Sequence, residues 1–144
     1  MQPLDLRMHP PRGPRQKLGG LYMLARTIDK LRATLPGGNL GEYHVFFGLS
    51  KHMADRLGID LTELADVVRD AGTEDDVVAW VRARSDPSSY DRVNLDLCER
   101  TQSKHVPPEH RQRFESKYAP EVRTAHENLF DLIEADDRHC YVLQ

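Results

Sequence analysis

Apolar residues recur at helical spacing in the stretch from Leu18 to Gly38, which has the clearest core face of the chain. Five of them lie three, four or seven positions apart: Leu21, Leu24, Ile28, Leu31 and Leu35. On an α-helix this spacing makes a continuous apolar stripe. The pattern therefore predicts a first helix that opens after Gly19-Gly20, ends at Pro36-Gly37-Gly38 and packs its stripe into the core.

Start and stop signals divide most of the remaining chain into further short amphipathic helices. The signals are Ser50 and Ser88 as caps, Gly58 as a stop, Asp60 with Glu63 and Thr73 with Asp76 as capping boxes, and Pro87, Pro107 and Pro108 as breaks. Pro120 suits the first turn of a long final helix. Its predicted apolar stripe is Val122, Ala125, Leu129, Leu132 and Ile133.

The first 17 residues follow a different pattern, with prolines at positions 3, 10, 11 and 14. Proline lacks the backbone donor that a helix needs, so this segment is expected to be an extended arm, which Leu4 and Leu6 would dock onto the body. The fold class predicted for the chain is all-α. We expect one domain over residues 1–144, a compact bundle-like arrangement of six or seven short helices with the proline-rich arm at its N-terminus.

Composition places the chain among soluble proteins. Charged residues make up 30% of the sequence, the mean hydropathy is -0.63, and no apolar run approaches the ~20 residues of a membrane span. The N-terminal segment has no apolar core of a signal peptide, and two cysteines are too few for a disulfide framework. A cytoplasmic location is expected, with no membrane partner.

Charge is unevenly distributed along the chain. Residues 1–38 contain seven lysines and arginines against two aspartates, whereas the whole chain has a net charge of -3. The basic segment either packs on the acidic remainder or binds an anion. No nucleic-acid partner is expected, because the basic residues are not interleaved with aromatic ones.

The first predicted helix carries a polar face beside its apolar stripe, and this face is the candidate binding site. Tyr22, Arg26 and Lys30 share one side of the helix, and such a set of donors suits recognition of a carboxylate or phosphate. Asp29 would orient one of the cations, and the turn at Gly41 would bring Tyr43 back over them. An internal salt-bridge cluster around Asp29 is the alternative interpretation.

Two histidines are candidates for proton transfer. His44 follows Tyr43 and titrates near neutral pH, so it could act as an acid or a base. His126 borders the stripe of the final helix, where a buried structural histidine is the favoured interpretation and proton transfer the other. No metal site or cofactor is expected: the other histidines lack a recognised ligand spacing, and the sequence contains no phosphate-binding or dinucleotide-binding fingerprint.

The N-terminal third resembles a bacterial family of unknown function, DUF5069. The similarity lies in PPRGPRQKLGGLYMLARTIDKLRATLPG at 10–37, GEY at 41–43 and LGID at 57–60, whereas VFFGLS at 45–50 departs from the more polar segment of the family. The resemblance implies a small bacterial domain and gives weight to Arg26, Asp29, Lys30 and Arg32 as a group. It implies no substrate.

Two function hypotheses follow. In the first, the protein binds an anionic small molecule in a pocket on the first helix, with or without cofactor-independent catalysis. In the second, it is an interaction or assembly module that binds a partner chain through the arm and the basic helix. An exposed arm without a concave pocket would favour the second. The sequence leaves open whether the chain forms a homo-oligomer.

Overall fold

The computed structural model describes residues 1–142, and within them every regular element is helical. The α-helices are α1 Leu24–Ala33, α2 Leu49–Leu57, α3 Leu61–Asp70, α4 Glu74–Ala83, α5 Tyr90–Cys98, α6 Gln102–His105, α7 Arg111–Glu115, α8 Pro120–Arg123 and α9 Leu129–Val142. Two 3₁₀ helices, Pro87–Ser89 and Pro108–His110, begin at the proline breaks. The predicted all-α class is confirmed, with more and shorter helices than expected. None of the helices in residues 1–142 is long and apolar enough to cross a bilayer.

The chain divides into two compact units, Met1–Asn94 and Leu95–Gln144. In the first unit α1 packs against α2 and α3, and α3 packs against α4. The predicted stripe supplies its core, because Leu21, Leu24, Ile28 and Leu31 are all buried. In the second unit α8 packs against α9, and Phe130 and Leu132 of α9 are buried.

Several helix termini lie where the local sequence signals predicted them. Asp60 accepts a hydrogen bond from the Thr62 backbone at the start of α3, and Thr73 and Asp76 form the predicted capping box of α4. Gly58 ends α2 at φ 74°, a left-handed conformation that glycine adopts without steric cost. Ser50 is not a cap, since its hydroxyl lies 2.8 Å from that of Thr27 inside the core.

Two predicted helix boundaries are wrong. The first helix begins at Leu24 rather than after Gly19-Gly20, because residues 18–21 form a closed turn and Met23 has a left-handed φ of 69°. The predicted final helix is divided into α8 and α9 by residues 124–128. Asn128 accounts for the second start, since its side chain accepts the backbone N–H of Asp131 at 3.1 Å.

The N-terminal arm has no helix and is hydrogen-bonded to the rest of the first unit. The backbone of Leu6 donates to Asn39 at 2.8 Å, and Asn39 donates to Leu4 at 2.9 Å. The side chain of Leu6 is buried, whereas that of Met8 is exposed. The arm is therefore fixed to α1 and to the segment that follows it.

Candidate functional site

Three of the predicted binding residues lie together in the first unit. The Arg26 guanidinium carbon is 5.4 Å from the centre of the Tyr43 ring, and the Lys30 ammonium is 5.7 Å from the same ring. Both distances suit a cation held against an aromatic face. The turn after α1 therefore brings Tyr43 to the two cations, as the sequence predicted.

Arg26 is a buried member of this group. Only 3% of the residue is exposed, and its Nη1 donates to the backbone oxygen of Arg12 at 3.3 Å. That bond joins α1 to the arm. Arg26 is thus part of the packing between arm and helix rather than an open surface contact.

Asp29 faces the arm. Its carboxylate accepts hydrogen bonds from Arg12 at the backbone N (2.8 Å), at Nε (3.1 Å) and at Nη2 (3.0 Å). Asp29 is buried. Asp29 therefore forms a salt bridge, as in the alternative interpretation. Its partner, Arg12, was not identified from the sequence.

The remaining candidates have separate environments. Tyr22 precedes α1, its backbone N donates to Asn94 at 2.9 Å, and the Lys17 ammonium lies 5.3 Å from its ring. His44 is half-buried and stacks on Phe47, with ring centres 3.8 Å apart. His126 belongs to the second unit, in the segment between α8 and α9, where its backbone oxygen accepts from Gln102 at 2.7 Å.

Arg12 connects Asp29 to a second carboxylate, that of Glu74 at the start of α4. Its Nη1 donates to Glu74 Oε2 at 3.3 Å, and its Nη2 donates to Oε1. Burial alone lowers the pKa of the Arg12 guanidinium, but the hydrogen bonds and charges of Glu74 and Asp29 outweigh it and raise that pKa above its ordinary value. Arg12 therefore stays charged and holds the arm against α1 and α4.

An open groove of about 570 Å³ lies beside this ion pair. We call it the arm groove, and its lining is Met1, Leu4, His9, Pro10, Pro11, Arg12, Asp29, Arg32 and Glu74. Its size is within the range of pockets that hold small ligands. The arm, α1 and α4 all contribute to it, so it exists only because the arm is folded back onto the helices.

Arg32 is the cation of the arm groove with unused donors. Its Nε donates to the backbone oxygen of Gln2 at 2.7 Å. Within residues 1–142 its two terminal nitrogens make no hydrogen bond. A guanidinium fixed at Nε presents its terminal nitrogens as a planar fork that matches a carboxylate or phosphate.

His9 also lines the arm groove. Its Nδ1 lies 2.9 Å from the Pro10 carbonyl oxygen and donates to it. In the neutral imidazole the other nitrogen, Nε2, then carries the lone pair. His9 is exposed.

Sequence reasoning missed the main components of the arm groove. Arg32 entered only through the family resemblance, and Arg12, His9 and Glu74 were not assigned a role. The one available signal was an arginine flanked by Pro11 and Pro14, since such a rigid segment can hold a side chain in place. Its partners are 17 and 62 residues away in the chain, and local spacing cannot identify contacts at that separation.

Comparison with known proteins adds the family but no activity. The family model described as Domain of unknown function (DUF5069) matches residues 8–139, well beyond the N-terminal third in which the motifs lie. A search among curated proteins finds no match to the chain.

Proposed function

Since the chain belongs to the DUF5069 family, whose function is unknown, we propose a function from the geometry of the arm groove. The protein binds a small molecule that carries a carboxylate or a similar anionic group. Arg32 receives the anion, and the open groove formed by the arm, α1 and α4 holds the rest of the molecule.

The observation that carries this proposal is the set of hydrogen-bond donors that the Arg32 guanidinium leaves unused. Within the described residues the protein uses only its Nε as a hydrogen-bond donor, and Arg32 lines the arm groove. A charge-assisted hydrogen bond to such a group contributes roughly 1.5–3 kcal/mol. Arg12 is a weaker candidate, because its three nitrogens already donate to Asp29 and Glu74.

The face of Arg26, Lys30 and Tyr43 supports anion binding less well than the groove does. Arg26 is almost fully buried, and its contact with the Arg12 backbone indicates a structural role. Lys30 is half-buried. We therefore assign the ligand to Arg32, in the last turn of the same helix.

The alternative function, a module that binds a partner chain through the arm, has less support. It requires an exposed arm, but Leu6 is buried and the backbones of Leu4 and Leu6 are bonded to the body. It also predicts no concave pocket, whereas the arm lines an open groove. Both observations favour a small ligand.

The test is ligand-induced thermal stabilisation, measured with sodium propanoate and sodium 3-phenylpropanoate against sodium chloride at equal ionic strength. A ligand that binds only the folded state raises the melting temperature by mass action. We expect the wild-type protein to be stabilised and Arg32→Gln to lose most of that stabilisation. Loss of the contact with Arg32 should make the variant bind the carboxylate at least about tenfold more weakly than the wild type does.

Arg82→Gln is the matched control. Arg82 is also a helix arginine that donates to a main-chain oxygen, that of Gly19 at 3.0 Å, but it does not line the arm groove. It should respond to the carboxylates as the wild type does. Equal stabilisation of wild type and Arg32→Gln would rule out Arg32 as the anion receptor.

A further inference from the structure

The arm groove is lined by charges of both signs. Arg12, Arg32 and the N-terminal ammonium of Met1 contribute positive charge, and Asp29 and Glu74 contribute negative charge. Arg12 lies between the two carboxylates, so one guanidinium balances two negative side chains. Arg32 provides a second guanidinium in the same groove.

Glu74 is the carboxylate that can receive a ligand. Each of its oxygens accepts one hydrogen bond from Arg12, and a carboxylate oxygen has two acceptor positions. Its side chain is 30% exposed, against 8% for Asp29. Asp29 already accepts three hydrogen bonds from Arg12. An incoming N–H donor therefore finds acceptor positions and solvent access at Glu74.

We propose that the ligand of the arm groove is a small zwitterion, a molecule with an ammonium group beside a carboxylate, as in an α-amino acid. Arg32 binds the carboxylate and Glu74 accepts from the ammonium group. This inference rests on the proposed function and specifies its ligand class.

The same charges disfavour other small molecules. A dianion would bring its second negative charge to the carboxylate of Glu74, and a simple amine would meet Arg32 without an anion to offset it. Leu4, Pro10 and Pro11 add apolar surface to the lining. An apolar side chain on the zwitterion would be accommodated there, since burial of apolar area favours binding.

The experiment compares ligands that differ by one group at a time. Titration calorimetry at pH 7 is done with two series: phenylalanine, 3-phenylpropanoate and 2-phenylethylamine, then alanine, propanoate and ethylamine. We expect the amino acid of at least one series to bind the wild type at least about tenfold more tightly than the carboxylate or the amine of that series, because each of these loses one charged contact.

Glu74→Gln tests the residue assigned to the ammonium group. It should reduce the affinity for the amino acid to that for the matching carboxylate, and circular dichroism should confirm that the variant is folded. Glu63→Gln is the matched control, because Glu63 lies in the first turn of α3 as Glu74 does in α4, but outside the groove. It should bind as the wild type does.

The outcomes separate the two proposals. If the carboxylates bind as tightly as the amino acids in the wild type, the zwitterion inference is wrong and anion binding at Arg32 stands. If Glu74→Gln keeps the full preference for the amino acid, the assignment of Glu74 is wrong. If no member of either series binds the wild type, the proposed function itself fails, and the inference fails with it.

Discussion

Arg12 in the proline-rich arm and Asp29 in α1 are joined by three hydrogen bonds, one from the backbone and two from the guanidinium. A carboxylate bonded at both oxygens by one arginine fixes that side chain in orientation as well as in position. This pair sets the path of the arm over α1. The arm groove depends on it.

Removal of Arg12 should destabilise the protein and open the groove. Arg12→Gln leaves Asp29 buried without its cation, which we expect to lower the free energy of unfolding by about 1–3 kcal/mol, less than for a fully buried pair because solvent screens Arg12. Urea denaturation measures the loss. Arg69→Gln, which removes an exposed pair with Asp66 and Asp70, should cost much less, and an equal cost would contradict a structural role of Arg12.

The stripe of α1 should dominate the stability of the first unit. Leu24 and Ile28 are buried at 1% and 0% exposure, so Leu24→Ala and Ile28→Ala should each lower the free energy of unfolding by about 2–4 kcal/mol through lost burial and a residual cavity. Urea melts of both variants give these values. A loss below about 0.5 kcal/mol for both would mean that α1 is not central to the core.

Arg26→Gln should behave as a structural variant. It removes the bond to the Arg12 backbone and the contact with Tyr43, so it should melt at a lower temperature with and without 3-phenylpropanoate, by the same increment. Thermal melts with and without the carboxylate make the comparison. If Arg26→Gln abolished the ligand-induced shift while Arg32→Gln kept it, the site would lie at Tyr43 instead.

The pH dependence of the arm should follow Asp5. A side-chain hydrogen bond from Arg7, aided by the Arg7 backbone N–H, lowers the pKa of Asp5 from 3.8 to about 2. Because the folded-state pKa is lowered, the stabilisation from this pair is present above pH 3.8 and is lost as the pH falls through about 2. NMR titration of the Asp5 carboxylate should reproduce the lowered pKa.

Arg7→Gln should raise the Asp5 pKa part of the way towards 3.8, since the backbone N–H still donates. Arg69→Gln serves as the control, because Arg69 pairs with Asp66 and Asp70 instead. An Asp5 pKa that stayed near 2 in Arg7→Gln would show that the side chain of Arg7 is not the cause.

The sequence alone predicted the elements whose causes are local. The apolar stripe of α1, the caps at Asp60 and Thr73 and the stop at Gly58 each depend on residues within one or two helical turns, where spacing and side-chain chemistry determine the backbone. The return of Tyr43 to Arg26 and Lys30 was also predicted, because the turn at Gly41 directs the chain back toward the helix that precedes it.

Tertiary structure alone decided the boundaries of α1 and the composition of the groove. The sequence predicted a helix that starts after Gly19-Gly20, but these glycines lie in a closed turn. The helix starts at Leu24, and the backbone N–H of the preceding residue, Met23, donates to the carbonyl oxygen of Pro14 in the arm at 3.0 Å. Asp29, which the sequence allows to pair with either neighbouring cation of its own helix, pairs with Arg12 instead. A charged side chain pairs with the opposite charge that the fold places within hydrogen-bond distance. For Asp29 the distance to Arg12 is set by the packing of the arm rather than by separation along the chain.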